Sequence, residues 1–480
     1  MTEKSFPAKT PKPLSFKLKF FFGIGDMGFS LMTNIETFYF QFFLTNIAAF
    51  STQVLWIVTT VVSVVDASLS WIYGGILNII KPRKIGRYRP YLVLIPWIVP
   101  ILFAFQFLKI SENVGLSAFI ITAAAIISHI VWNLPYAANM AMISIAGQTS
   151  QGKAVLSSSR ATWNNISSIL FSYAGLPLIT LLSSMSFLGE KVEVVNKATQ
   201  AVTVYRTGAF AAVTFILGVV MALTYWVHYI ITKGYEMPED AAKPKESKTK
   251  ASFGSMAKAL FANSHLLFLI VADLAKWIVK FVVAGSAIYY WTYVAGNASI
   301  QTNYVLISSI CAVIGAYSAR FFTKLFSNKM AIIYAYILMA AAMIIAYFAY
   351  SQVTLVFILM CVGQFGYGIC YAVAPALYAD AAVYADWKTK KSNVGWIMGL
   401  QTLPLKIGVI LKAIVIAAVL TAINFSKDMA VTEGTKQGLT ASFALIPGLF
   451  LVLGAVLLIF GYRLTKEKVE KYQAELDAQK

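Results

Sequence analysis

The sequence predicts an all-α membrane protein with twelve transmembrane helices arranged as two six-helix halves. Three observations carry that expectation. Hydrophobic residues make up 59% of the 480 positions and charged residues 12%, with a mean hydropathy of +0.71, whereas a soluble domain is about 25% charged. Apolar runs of the ~20 residues needed to cross a hydrocarbon core recur twelve times, near 19–48, 53–80, 91–110, 116–145, 157–185, 207–232, 265–294, 302–325, 329–350, 353–384, 393–424 and 439–462. Those runs fall six and six around a polar, charged, proline-containing stretch. The expected organisation is therefore an N-terminal half over 1–231, a cytoplasmic linker over 232–264, a C-terminal half over 265–464 and a cytoplasmic tail over 465–480.

Taken in order, several runs carry polar residues at helical spacing. The first holds Asp26, Ser30, Asn34 and Thr37, and the second Thr59, Ser63, Asp66 and Ser70. Glu36 lies off the Asp26–Ser30 face and reads as a surface pair, and His129 in the fourth run as a satisfied packing residue. The fifth run carries Arg160, Trp163, Asn164 and Ser167. In the seventh, "LIVADLAKWIVKFVVAG" (Leu269–Gly285), Asp273, Lys276 and Lys280 are three and four residues apart, which places them on one helix face. Asp273 can pair with Lys276, leaving Lys280 without a partner on its own helix. Gln364, Tyr367 and Tyr371 stripe the tenth run, and Lys406 and Lys412 interrupt the eleventh just after Gln401 and Thr402. A charge at the bilayer centre costs about 2.5–3.5 kcal/mol on insertion scales. These faces are therefore expected to line protein or a water-filled cavity. Trp163, Tyr367 and Tyr371 also suit plain packing or an interfacial belt.

The net charge of +19 comes largely from short basic segments, among them "KPRKIGRYRP" (Lys81–Pro90), the central linker, "DWKTKK" (Asp386–Lys391) and the tail from Arg463. They alternate with connections near Ser51, Asn297 and Ser351 that have no basic residue, so both termini and the linker are expected in the cytoplasm. The mixed-sign loops near Gly189–Arg206 and Lys427–Lys436 are exceptions. Nucleic acid is not an expected partner. Three cysteines inside apolar runs leave no disulfide framework and no zinc spacing. Two halves around a long cytoplasmic linker is the plan of a major-facilitator-type transporter, whose halves rock about a site at the bilayer midplane.

Six motifs in order add a resemblance that covers nearly the whole chain. "FGIGDMGFS" (Phe22–Ser30), "DASLSWIYGGILN" followed by "KIGRYRPYLV" (Asp66–Val93), "WNLPYAAN" (Trp132–Asn139), "SSSRATWNN" (Ser157–Asn165), "YADAAVYADWKT" (Tyr378–Thr389) and "LQTLPLKIG" (Leu400–Gly408) resemble the glycoside–pentoside–hexuronide:cation symporters, the family of the melibiose carrier. The resemblance implies a cation site at Asp66, Ser70 and Asn133, with serine and asparagine where that carrier has aspartates. It places the carrier's sugar-binding aspartate at Ser30 and its sugar-binding arginine at Arg160, and matches Lys406 to the family's eleventh-span lysine. Val383, Ser392 and Val394 depart from the family's loop after the tenth span.

Losing two carboxylates weakens a sodium site, whereas a proton needs a single titratable carboxylate, which Asp66 supplies. Cations now outnumber carboxylates, and buried cations interact strongly with anions. The expected substrate-binding residues are Asp26, Ser30, Arg160, Trp163, Asn164, Lys276, Lys280, Tyr367 and Lys406. The expected function is secondary active symport of a glycoside, uronide or related acidic solute with a proton or sodium ion, across the cell membrane, with no cofactor. An organic-anion exchanger or uniporter and a lipid-type carrier are the alternatives. No metal cluster, catalytic triad or phosphate loop points to an enzyme, and no selectivity filter points to a channel.

Overall fold

Lipid offers no partner for a backbone N–H or C=O, so each apolar run satisfies its own as a helix. The structure, a computed structural model, describes residues 13–69, 85–86, 88–147, 150–196, 201–236, 263–389, 397, 400–426 and 429–477. Ser70, Ser392, Val394 and most of the expected linker lie outside them.

The first half opens with α1 (Phe16–Phe21) and α2 (Ile24–Phe42), which runs into a π-helical turn over Phe43–Ile47. Next come α3 (Thr52–Leu69), α4 (Val99–Phe105), α5 (Val114–Ala146), α6 (Ser150–Ala174), α7 (Leu176–Ser183) and α8 (Ala209–Ile231). The second half has α9 (Ser264–Ile278), a π turn (Val279–Val283), α10 (Ala284–Tyr289) and a second π turn (Tyr290–Val294). It continues with α11 (Ile300–Leu325), α12 (Asn328–Phe348), α13 (Val353–Thr389) and α14 (Thr402–Ala422). α15 (Glu433–Thr440), a π turn (Ala441–Leu445) and α16 (Ile446–Phe460) form one further rod.

Among the described residues, eight helical segments are long and apolar enough to cross a membrane. The other four expected runs differ for local reasons. The first carries its polar stripe, and the second is described only to Leu69. The third breaks at prolines into two 3-10 turns, Arg89–Leu92 and Ile95–Trp97, and the short α4. The seventh is divided by its π turns.

Helix packing repeats between the halves. α2 packs on α6 and α8, α4 on α5 and α8, and α3 on α5; in the second half α9 packs on α14 and α16, α12 on α13 and α16, and α11 on α13. Each pairing in one set has its counterpart in the other. The halves meet where α2 touches α10, α3 touches α14 and α6 touches α11, the last two being exchanged by the same correspondence.

Three connections carry structure that the sequence left unread. The mixed-sign stretch near Gly189–Arg206 contains an antiparallel hairpin, β1 (Lys191–Asn196) on β2 (Ala201–Arg206), with Lys191 opposite Arg206. Its fully buried Tyr205 packs on Phe42 and Phe210. The tail contains α17 (Lys466–Asp477), which docks on the end of α13: Trp387 donates to Glu475 at 2.6 Å and stacks on Tyr472. At the basic loop, the Glu236 carboxylate accepts from the backbone N–H of Tyr88 at 3.0 Å and of Arg89 at 3.1 Å. Gly86 makes that grip possible. Its φ of +116° suits glycine alone, and a Cβ there would sit 2.3 Å from the Glu236 carboxylate.

Candidate functional site: a charged interior with two centres

The first centre joins α2, α5 and α6. A Cβ on Gly23 would lie 2.5 Å from the Ser159 carbonyl oxygen and 2.6 Å from the Arg160 Cα. Glycine there lets α2 and α6 approach closely enough for Asp26 to meet Arg160. The Arg160 guanidinium forks onto Asp26, with Nε donating to Oδ2 at 2.7 Å and Nη2 to Oδ1. Asn139 Nδ2 also donates to Asp26 Oδ2, at 2.8 Å, and Tyr136 lies within electrostatic reach of Arg160. Arg160 is thus neutralised by Asp26, and its remaining N–H donors are what it can offer a solute.

Ser30 is half-buried one turn along α2, and Asn164 is exposed one turn beyond Arg160. Trp163 has a local structural partner: its indole N–H donates to the Phe20 carbonyl at 2.7 Å, and its ring packs on Phe20 and Phe21. It ties α6 to the N-terminal helix.

Across from this centre, Tyr371 of α13 lies within electrostatic reach of Asp26, Tyr136 and Arg160. Its neighbour Tyr367, ring centroids 6.0 Å apart, presents its face to the Lys280 ammonium 5.8 Å away. Asp273, Lys276 and Lys280 differ in their partners: Lys280 sits in the π turn Val279–Val283 and meets the Tyr367 ring. Asp273 and Lys276 form a buried ion pair at 2.7 Å, with side chains 5% and 4% exposed, and Tyr378 contacts the same carboxylate at 3.4 Å. Lys276 is thus already committed to Asp273, while Lys280 makes no ion pair among the described residues.

The second centre spans α2, α3, α5 and α14. Asp66 Oδ1 accepts from Asn133 Nδ2 at 3.1 Å, and Asp66 Oδ2 from the Lys406 ammonium at 3.3 Å. His129 stands between two carboxylates: Nε2 is 3.0 Å from Glu36 Oε2, and Nδ1 is 3.6 Å from Asp66 Oδ1. Glu36 is therefore an interior partner rather than a surface one, and His129 is more than packing. Spacing held a signal, since His129, Asn133 and Tyr136 recur at four and three residues, with Asn139 three further on, along one face of α5. Lys406 belongs with Asp66 rather than with Arg160. Among the described residues, the one hydrogen bond of Lys412, 8% exposed, is to the Thr37 carbonyl at 3.4 Å, beside a Gln41 amide whose buried atoms have no hydrogen-bond partner. Among the described residues, the groups on Asp66 are the nitrogens of Asn133, Lys406 and His129 rather than oxygen ligands. Among the described residues, no group of three His, Cys, Asp or Glu is arranged to hold a metal ion.

Paired helices around a charged interior define a multi-pass membrane transporter. A family model described as "MFS/sugar transport protein" matches residues 21–466, and the chain belongs to that family. Among curated relatives, it is 24% identical over 480 residues, 98% of this chain and 96% of the relative, to the "Putative sulfoquinovose importer" of Escherichia coli (strain K12). It is 23% identical to the "Uncharacterized symporter YjmB" of Bacillus subtilis (strain 168), over 98% of this chain and 96% of that one. The "Glucuronide carrier protein homolog" of Escherichia coli (strain K12) aligns over 46% of this chain and 49% of its own length at 22% identity. In fold the chain is similar to the nucleoside transporter NupG (TM-score 0.62, 13% identity, 94% of this chain and 100% of that one). A D-xylose-proton symporter is comparable, with TM-score 0.60 and 12% identity over 95% of this chain and 99% of that one.

Proposed function

We propose that this sugar-family transporter imports an acidic sugar, sulfonated or uronic, by cation symport with alternating access between its halves. The cation is a proton, the membrane is the cell membrane, and both termini face the cytoplasm. One observation carries the proposal. Lys280 is an interior cation with no carboxylate partner among the described residues, and Lys412 makes no ion pair there and is balanced only at a distance by Glu36. An unpaired interior cation is costly, and an anionic solute offsets that cost. Tyr367 and Tyr371 supply the aromatic surface that sugar rings stack on, and Arg160 keeps donors for a sulfonate, carboxylate or hydroxyl. Two relatives bearing sulfoquinovose and glucuronide in their names fit the same charge.

The test is uptake into proteoliposomes. Labelled sulfoquinovose and a labelled glucuronide should accumulate under an imposed proton gradient, while melibiose, a neutral disaccharide, should neither accumulate nor compete. Melibiose competing as well as the acidic sugars would overturn the substrate class. Accumulation that follows a sodium gradient at constant pH would overturn the choice of proton.

A further inference from the structure

We propose that Glu36, His129 and Asp66 form the proton-binding site of the transport cycle. The proposal rests on the symport function above. It stands on three elements: α2 supplies Glu36, α5 supplies His129 and α3 supplies Asp66, and the two imidazole nitrogens each face a different carboxylate. A neutral imidazole has one N–H and one lone pair, so one of the two carboxylates then faces a lone pair. An imidazolium donates from both nitrogens. The buried Nδ1 has no hydrogen-bond partner, and the Asp66 carboxylate 3.6 Å away is the acceptor that a proton on Nδ1 would draw in. The site holds its proton on the ring, with Nε2–H directed at Glu36 and Nδ1–H at Asp66. Trp132 stacks on the imidazole with centroids 4.5 Å apart and fixes the ring plane.

The charged and polar groups around the ring complete the mechanism. Lys406 of α14 reaches Asp66, Asn133 of α5 donates to the same carboxylate, and Lys412 of α14 interacts electrostatically with Glu36. α14 belongs to the second half and the triad to the first, so rocking of the halves changes how much lysine charge the two carboxylates feel. An anionic solute drawn to Lys412 takes part of the charge that offsets Glu36. Glu36 then depends more on the proton at His129, so solute and proton bind with positive coupling. Symport requires that sign, and linkage makes it reciprocal.

A pH jump applied to protein reconstituted on a solid-supported membrane, without any solute, reads this site directly. The wild type should give a transient charge displacement, and His129→Gln and Glu36→Gln should each abolish it or move its midpoint by at least about one pH unit. Thermal unfolding and gel-filtration profiles establish that each variant is folded, and Glu36→Gln preserves size where His129→Gln disturbs packing. A displacement unchanged in both variants would overturn the proposal, whatever solute the protein carries. A second arm uses sulfoquinovose and a glucuronide: gradient-driven accumulation should fall about 10-fold further than counterflow, which needs no net proton movement. Equal losses in the two modes would also overturn it. Wild-type protein that gives the displacement but transports neither probe would refute the function proposed above and leave the proton site standing.

Discussion

Two lysines four residues apart on one helix should behave as opposites. Lys276 is locked to Asp273 at 2.7 Å with both side chains almost fully buried. Lys276→Ala leaves a carboxylate alone in the interior, which costs about 3–5 kcal/mol, enough to reduce expression and lower the melting temperature sharply. Asp273→Asn in the same chain removes the stranded charge and should restore most of that loss. Lys280 has only an aromatic face and no carboxylate partner among the described residues. Its removal should leave stability unchanged or improved. If it binds the anionic group of the solute, Lys280→Ala instead costs about 2–5 kcal/mol of affinity, which is roughly 30-fold to several thousand-fold in Kd. Calorimetry on purified protein with sulfoquinovose and with a glucuronide measures the affinity, and the thermal shift at saturating ligand checks it independently. Unchanged affinity in Lys280→Ala would refute its role in the site. Lys280→Ala protein as unstable as Lys276→Ala would refute the division between the two lysines.

Other contacts make sharp predictions of their own. Asp26→Asn strands the Arg160 guanidinium and should destabilise by about 3–5 kcal/mol, with the Asp26→Asn/Arg160→Gln pair recovering part of that in thermal unfolding and neither form transporting. Gly86→Ala forces a side chain into a left-handed conformation, costing about 1–2 kcal/mol, and presses on Glu236; melting temperature should fall, and less so when Glu236 is also replaced by alanine. Where α2 meets α10, Tyr293 donates to Asn46 and Thr45 is 2.8 Å from the Tyr289 hydroxyl, all four residues buried. Tyr293→Phe leaves the Asn46 carbonyl unpaired at about 1–3 kcal/mol, and should weaken this contact between the halves, read as faster labelling of a cysteine introduced at Phe42.

What the sequence revealed depended on whether a feature was local. Asp273 and Lys276 lie one turn apart, so their pairing was legible from spacing, as were the polar stripes of α2 and α3. The π turn that holds Lys280 was not legible, because no pattern of residue types announces one, and its aromatic partner Tyr367 comes from another helix. Glu36 is ten residues from Asp26, roughly 80° around an ideal helix, so a single-face reading sent it outward; the partner that draws it inward is on α5. His129 lost its meaning in sequence for the same reason, since both of its carboxylates come from other helices. The Gly189–Arg206 hairpin carries alternating valines, but mixed charge and membrane context made it read as a loop. Arg160 was found correctly in the interior, yet only tertiary contact reveals that Asp26 already neutralises it.

Charge balance in the interior leads to a last expectation. Asp26, Glu36, Asp66 and Asp273 are the carboxylates, and Arg160, Lys276, Lys280, Lys406 and Lys412 the cations, of the two centres and the Asp273 pair. Asp26 offsets Arg160, Asp273 offsets Lys276, and Asp66 and Glu36 face Lys406 and Lys412. Lys280 is left as the one surplus positive charge in that set. A sulfonate or uronate at neutral pH carries one negative charge, which matches the surplus, and a proton on His129 adds one positive charge. Solute and proton together then carry no net charge across the membrane, so transport should be electroneutral. Proteoliposomes clamped with potassium and valinomycin separate the driving forces. A pH gradient alone should drive accumulation, and a membrane potential of 100 mV, worth about 2.3 kcal/mol per charge moved, should change it little. Accumulation that rises with inside-negative potential would mean more than one proton per anion, and would require a second titrating group besides the triad on α2, α3 and α5.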